Sequence, residues 1–314
     1  MKRLDVSAAV IEQADGRYML GQRAAGTFYP GYWEFPGGKV EAGETPRQAI
    51  IRELHEELGI VVRRADPWLR RTHVYEHAHV NLHFFRVREW SGELIPHVHA
   101  ALAWQYPGEH RVAPMLPANG PVLTALALPP LYAITHATEI GVTAQLAALR
   151  HALDNGLRLV QLHEAAMHPA ERRAFYRAAI ALCHEVGAQV LINSDVALAI
   201  ELGADGVHLS STALRDLSTR PALPLLAASC HRADDLNFAT QLGCDFAVLG
   251  PVHAARTHPD AAPLGWDEFA ARVAVPPLPT FALGGVGLAD LDRARLAGAH
   301  GVAGIRGFWN SAKQ

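Results

Sequence analysis

The chain has 314 residues, half of them hydrophobic and 19% charged, with a formal net charge of −3. That length exceeds one ordinary domain, the composition excludes a disordered chain, and the charge excludes the basic face that duplex nucleic acid requires. The three cysteines, Cys183, Cys230 and Cys244, share no CxxC spacing, which argues against a disulfide framework or structural zinc and for a reducing cytoplasm. No apolar run is long enough for a membrane span, and Asp5 interrupts the start where a signal peptide would continue apolar.

In chain order, residues 6–11 and 18–22 read as strands around a turn at Asp15-Gly16, and Glu34-Phe35-Pro36-Gly37-Gly38 leads into a helix. Thr45 is placed to cap that helix, with Pro46 in its first turn, Gln48 completing a capping box and Gly59 ending it. A further strand is expected over 80–87. The proline-rich stretch 114–130 marks a boundary, giving domains 1–128 and 131–314. Beyond it lie eight short β-rich runs, at 131–135, 159–163, 190–193, 206–209, 225–229, 246–249, 280–283 and 301–304. Alanine-rich helical segments such as 142–155, 169–187 and 288–297 alternate with them. This alternation predicts a (β/α)8 barrel, compact at about 180 residues, with an open doubly wound sheet as the alternative.

The chemistry of the first domain centres on its helix. Glu53, Glu56 and Glu57 are related by i+3 and i+4, so their carboxylates share one face, and few basic residues answer them. Such a cluster suits a hard cation, Mg²⁺ or alternatively Mn²⁺, which keeps waters and substrate phosphates in its remaining positions. Arg52 is the expected orienting partner of Glu44. Gly38, Glu44, Arg52-Glu53-Leu54, Glu56-Glu57 and Gly59-Ile60 satisfy every spacing of the Nudix pattern Gx5Ex7REUxEExGU. On these residues the domain resembles the Nudix hydrolases, which cut nucleoside-diphosphate-type anhydrides. The resemblance implies an α/β/α sandwich, with Gly38, Glu53, Glu56 and Glu57 at the metal and Arg52 and Glu44 in the catalytic set.

Arg23-Ala24-Ala25, Glu34-Phe35-Pro36-Gly37-Gly38-Lys39 and Leu116-Pro117-Ala118-Asn119 extend the similarity to the MutT type, which sanitises the nucleotide pool by converting 8-oxo-dGTP to 8-oxo-dGMP and pyrophosphate. The resemblance implies that Asn119 reads the purine edge and Arg23 reaches the phosphates, with Phe35, Gly37, Gly38 and Lys39 lining the substrate site. A side-chain amide, offering donor and acceptor together, suits the O6 and N7–H edge of an oxidised guanine. The family often carries a glutamate base in the loop where this chain has Pro96-His97-Val98-His99, with Val98 at that place. Glu53 is the first choice of base on geometry, and His97 and His99 are the substitutes. The histidines at 73, 77, 79, 83, 97 and 99 are read as surface or packing residues rather than a transition-metal site.

The second domain resembles thiamine phosphate synthase and its relative the thiazole tautomerase. The matching segments include Leu131-Tyr132-Ala133-Ile134-Thr135, Gly203-Ala204-Asp205-Gly206-Val207-His208-Leu209, Gly250-Pro251-Val252 and Leu283-Gly284-Gly285-Val286. Synthase chemistry needs cations and metal-binding aspartates, and the corresponding positions are changed. Gln-Leu-Arg-Glu-Lys becomes Gln161-Leu162-His163-Glu164-Ala165, Asn-Asp becomes Asn193-Ser194, Gly-Gln-x-Asp becomes Ser210-Ser211-Thr212-Ala213, and the loop lysine near Thr257 becomes His258. Asp195, one place late, is a partial substitute. Gly284, Gly285, Gly304 and Arg306 retain the character of a phosphate site, and His253 and His258 suit tautomerase-like proton transfer. The expected ligands are a nucleotide for the first domain and a phosphorylated small molecule for the barrel, with no duplex nucleic acid and no membrane. Two other readings remain: Nudix hydrolysis of a thiamine-related pyrophosphate beside an active barrel, and a barrel that senses a metabolite.

Overall fold

The computed structural model describes residues 2–76, 78–254, 262–274 and 277–309. It divides into two compact units, 1–128 and 129–314. Unit one contains β1 (Lys2–Ile11), β2 (Tyr18–Arg23), β3 (Trp33–Glu34), β4 (Gly37–Lys39), α1 (Pro46–Leu58), β5 (Val61–Val74), β6 (Ala78–Ser91), β7 (His99–Gln105) and α2 (Gly120–Leu126). A four-stranded mixed sheet has the order β4-β1-β6-β5, and a second sheet the order β3-β2-β7. At the centre of the first sheet β1 runs parallel to β6 over its whole length, from Lys2 opposite Ala78 to Ile11 opposite Val87.

Helix α1 forms because its ends and its apolar stripe agree. The Thr45 hydroxyl accepts from Gln48 N–H, the Gln48 amide oxygen accepts from Thr45 N–H, and Gly59 closes the helix at φ 71°. Ala49, Ile50, Leu54 and Leu58 are buried along one face, against a cluster containing Ile11, Met19, Val62 and Phe85. The opposite face carries Arg52, Glu53 and Glu56.

Besides the short β3 and β4, two longer strands of this unit are unexpected. β5 spans 14 residues yet holds five basic or acidic residues and Pro67, and its register with β6 shifts three times, once between Pro67 and Leu69. A bulge admits proline because the ladder is already interrupted there. β7, whose alternation is weak, pairs antiparallel with β2.

The second unit is a closed barrel of eight parallel strands: β8 (Leu131–Ile134), β9 (Leu159–Leu162), β10 (Gln189–Asn193), β11 (Gly206–Leu209), β12 (Leu225–Cys230), β13 (Phe246–Leu249), β14 (Thr280–Ala282) and β15 (Gly301–Gly304). Each expected run matches a strand to within one residue at either end, and closure through β15 against β8 rules out the open sheet. The outward residues of the strands, among them Val160, Leu162, Ile192 and Val207, pack on Phe175, Ile180, Leu198 and other helix residues. Inside, Tyr132, Phe246 and Phe281 fill the barrel, their ring centroids 5.2–5.8 Å apart. All three cysteines are buried and free, and burial pushes the Cys183 and Cys244 thiols up to about 12, which leaves them unreactive.

No helix among the described residues is long and apolar enough to cross a membrane. Replacing Thr45 by Ala removes one half of the capping box and should lower the unfolding free energy of the first unit by about 1 kcal/mol. Urea denaturation followed by near-ultraviolet circular dichroism checks this, and an unchanged midpoint would show that the cap contributes nothing.

Candidate functional site

The carboxylate face of α1 is held against β4 by an unusually close backbone approach. A Cβ on Gly37, at φ +142°, would stand 2.1 Å from the Ser7 carbonyl oxygen, and one on Gly38 would stand 2.3 Å from the Glu53 carboxylate. Only glycine fits at residue 37, where the neighbours are backbone, whereas a side chain at residue 38 would displace the Glu53 carboxylate. The approach lets Gly37 N–H donate to Glu57 Oε2 at 3.0 Å.

Arg52 supplies the countercharge. Its guanidinium donates to both oxygens of Glu44 (2.7 and 3.3 Å), to Glu53 (3.0 Å), to Glu56 (3.1 Å) and to the Lys39 carbonyl (3.0 Å). The expected pairing with Glu44 is therefore present. Of the three helix glutamates that few cations were expected to answer, this one arginine answers Glu53 and Glu56, and it reaches Glu44 as well because its planar fork extends along the helix and across to the loop. This pairing holds the Glu44 carboxyl below its ordinary range. Glu57 is different. Burial pushes its pKa up to about 7, Glu53 and Glu34 add to the rise, and His99 and the Gly37 N–H oppose it.

Among the described residues no three carboxylate, imidazole or thiolate side chains are gathered as a ready metal cage. Arg52 holds Glu53 and Glu56 in a hydrogen-bonded arrangement. The donor chemistry nonetheless fits a hard divalent cation, since every candidate ligand is an oxygen, from the Glu53, Glu56 and Glu57 carboxylates or the Gly38 backbone, and Glu57 is a half-buried carboxylate of raised pKa.

Beside this face lies a cavity of about 240 Å³ whose lining includes Arg23, Phe35, Gly37, Gly38, Lys39 and Asn119. All six residues expected at the substrate are thus brought together. Asn119 is 4% exposed, and its Nδ2 donates to the Trp33 carbonyl at 3.1 Å. Its second N–H and its Oδ1 have no partner among the described residues. Arg23 is paired with Glu34 at 2.5 Å and also donates to the Phe28 carbonyl.

Sequence reasoning missed Phe28, Tyr29, Glu34 and Tyr75, which line the same cavity. Tyr29 and Tyr75 approach to 6.1 Å from two different loops. The aromatic run Phe28-Tyr29-Pro30-Gly31-Tyr32 was the available signal for the first loop. The two histidines of the base segment separate: His97 is exposed, with its N–H on the Glu57 carbonyl, while His99 is buried with Nε2 3.7 Å from Glu34. Val98 is exposed. His77 lies outside the described residues.

The barrel opens into a cavity of about 570 Å³ that contains Gly284, Gly285, Gly304 and Arg306. Gln161, His163, Asn193, Ser229 and His231 face them, and no carboxylate lines the cavity among the described residues. Arg306 donates to both oxygens of Glu139 at 2.7 and 2.9 Å. Asp195, the partial substitute for the missing aspartates in the sequence, is not in the lining of this cavity. It caps a helix through Leu198 N–H, lies 3.7 Å from Arg172 and lines a separate small cavity. Glu164 is likewise structural, accepting from Ala137 N–H, Thr138 N–H and the Thr138 hydroxyl at 2.6–2.9 Å. A Cβ on Gly285 would strike His253 at 2.7 Å, so that glycine is required by the loop itself. His253 is exposed, and Thr257 and His258 lie outside the described residues.

The two units define two enzyme families joined in one chain. The chain belongs to the NUDIX domain family over residues 1–126 and to the thiamine monophosphate synthase family over residues 131–308. It is 42% identical over 125 residues to the CTP pyrophosphohydrolase of Escherichia coli, covering 40% of this chain and 92% of that protein. It is also 42% identical over 93 residues to the 8-oxo-dGTP diphosphatase of Proteus vulgaris, covering 30% of this chain and 83% of that protein. Its barrel is 37% identical over 179 residues to a Geobacter sulfurreducens protein provisionally named thiamine-phosphate synthase, covering 55% of this chain and 83% of that protein.

The raised Glu57 pKa sets a stability prediction for chelator-treated protein. A carboxyl at about 7 in the folded state and 4.5 ordinarily contributes stability that is complete below pH 4.5 and lost as pH rises through 7. Glu57→Gln keeps an acceptor for Gly37 and removes the charge. It should stabilise the metal-free protein at pH 8 by on the order of 2 kcal/mol and lose that advantage near pH 4.5. Denaturant titrations at the two pH values check this, and an advantage that does not change with pH would contradict it.

Proposed function

We propose that residues 1–128 form a divalent-metal-dependent pyrophosphohydrolase of nucleoside triphosphates whose preferred substrate is 8-oxo-dGTP, and that residues 131–314 form a phosphate-ester-binding barrel without synthase chemistry. The observation that carries the first part is Asn119, a buried amide with one donor and its acceptor uncommitted in the cavity that also holds Arg23, Gly37, Gly38 and Lys39.

In this reading Asn119 pairs with the base edge and Phe35 packs in the same cavity. Arg23 and Lys39 meet the phosphates, with Arg23 exchanging its pairing to Glu34 for a phosphate oxygen. Glu53, Glu56 and Glu57, beside Gly38, are the groups that would hold Mg²⁺ or Mn²⁺. When bound, the cation neutralises the pyrophosphate and lowers the pKa of a coordinated water. Arg52 and Glu44 keep the helix and the preceding loop in register. Glu53 is the base in this scheme, and His99, buried beside Glu34, is a better-placed substitute than the exposed His97.

A second substrate reading is favoured by the likeness to the CTP pyrophosphohydrolase, which extends over more residues than the likeness to the 8-oxo-dGTP diphosphatase. Asn119→Ala separates the two. For an oxidised purine the loss of a bidentate contact should cost about 1–3 kcal/mol of discrimination between 8-oxo-dGTP and dGTP, with metal dependence retained. An unchanged ratio of kcat/KM values would reduce Asn119 to a structural role.

For the barrel, the absence of any lining carboxylate among the described residues supports binding without pyrophosphate chemistry, because charge neutralisation is the main catalytic need of that reaction. Calorimetry of the full chain should show thiazole phosphate binding, weakened about tenfold or more by Arg306→Gln. Incubation with the pyrimidine pyrophosphate and thiazole phosphate should yield no thiamine phosphate above background. Product at an enzymatic rate would make the chain bifunctional.

A further inference from the structure

Arg23 holds a partner that any phosphate must displace. It ends β2, with one terminal nitrogen on Glu34 Oε2 at 2.5 Å and Nε on the Phe28 carbonyl. Glu34 ends β3 in the lining of the cavity beside α1, its side chain 19% exposed. Glu34 also adds to the burial that raises the Glu57 pKa, so the two carboxylates share one space. Were Arg23 to turn to a phosphate with nothing in its place, Glu34 would be left an unpaired, partly buried anion, and that cost opposes the turn.

A second group reaches Glu34 from the far side of β2. In the sheet β3-β2-β7, Glu34 lies opposite Gly21 and His99 opposite Arg23, so a whole strand separates Glu34 from His99. The His99 ring spans that gap by lying across Gly21, where a Cβ would stand 2.3 Å from its Cδ2 and 2.6 Å from its Nε2. A glycine inside a strand marks this kind of close approach. Nε2 thereby comes to 3.7 Å from Glu34 Oε1, the oxygen that Arg23 does not take.

The surroundings of the ring fix its proton. The His99 side chain is 3% exposed, and among the described residues Nδ1 is buried without a hydrogen-bond partner. A bare Nε2 would set its lone pair against the carboxylate, and a sole proton on Nδ1 would be buried without an acceptor. Nε2 therefore carries a proton. At 3.7 Å it is too far from Oε1 for a hydrogen bond while Arg23 holds Glu34, and a small shift of the carboxylate would make one. His99 is not in the cavity lining, so it meets Glu34 rather than a ligand. We propose that His99 is a positioning residue that receives the Glu34 carboxylate as Arg23 turns to a substrate phosphate, with Gly21 leaving room for the ring to do so. The kinetic effect rests on the hydrolase reading of this cavity, whereas the proton position is measurable without substrate.

Two-bond ¹H–¹⁵N correlation spectra of the full chain labelled at histidine, with the His99 signals assigned by their loss in His99→Phe, should show a proton on Nε2. A bare Nε2 would overturn the proposal. With Mg²⁺ and either 8-oxo-dGTP or CTP, His99→Phe should raise KM about tenfold and leave kcat within about twofold, because the exchange concerns the phosphates common to both. In the Glu34→Gln background no anion needs a new partner, and the same substitution should change KM by less than about twofold. Equal effects in the two backgrounds, or a loss of kcat at unchanged KM, would contradict the exchange. Gly21→Ala displaces the ring without altering it and should reproduce the KM rise, which keeps the test available should His99→Phe fail to fold. If the unaltered chain hydrolyses neither triphosphate, the hydrolase reading falls, and the spectra alone decide whether His99 addresses Glu34.

Discussion

The first unit depends on one guanidinium. Arg52 reaches Glu44 in the loop, Glu53 and Glu56 on its own helix and the carbonyl of Lys39 on the neighbouring strand, so it joins three segments whose charges would otherwise separate them. An ion pair on a surface contributes little when it stands alone. Here one cation is shared among three carboxylates in a fixed fork geometry, and it compensates a like-charge cluster that a helix would otherwise resist. The glycines at 37 and 38 are the steric counterpart, since a side chain at 37 would strike the β1 backbone and one at 38 would displace the Glu53 carboxylate. Together these features bring the carboxylate face beside a cavity lined by Arg23, Lys39 and Asn119.

Stability and chemistry conflict at Glu57. The carboxylate is half-buried, raised in pKa and held by a single backbone N–H, an arrangement expected to lower the stability of the metal-free protein at neutral pH. Such local cost is common where a group is kept for its reactivity rather than its packing. The barrel shows the opposite balance. Its acidic residues near the mouth are spent on structure, with Glu164 and Asp195 capping helices and Glu139 on Arg306, so the described lining of its cavity offers hydrogen-bonding groups and Arg306 but no carboxylate.

Local features were legible in the sequence, and distant ones were not. Thr45, Gln48 and Gly59 announce α1 because caps act within a few residues, and the eight barrel strands stand out because each is a short apolar run between helices. β5 was hidden because Pro67 and its charges contradict strand propensity, and only pairing with β6 overrides that preference. The six substrate-site positions came from a resemblance, whereas Phe28, Tyr29 and Tyr75 join them through loops that meet only in three dimensions. The same holds for Asp195, which sequence spacing puts near the lost aspartates and hydrogen bonding commits to a helix cap.

The central claim is that an Asn119 amide selects an oxidised purine at a Nudix carboxylate site. It is tested most directly by measuring kcat/KM of the unaltered full chain with Mg²⁺ for 8-oxo-dGTP, dGTP and CTP under one set of conditions. A value for 8-oxo-dGTP about tenfold or more above both others is the result this structure predicts, since a buried amide left unpaired by the wrong base rejects it. Hydrolysis of CTP as fast as, or faster than, 8-oxo-dGTP would contradict it.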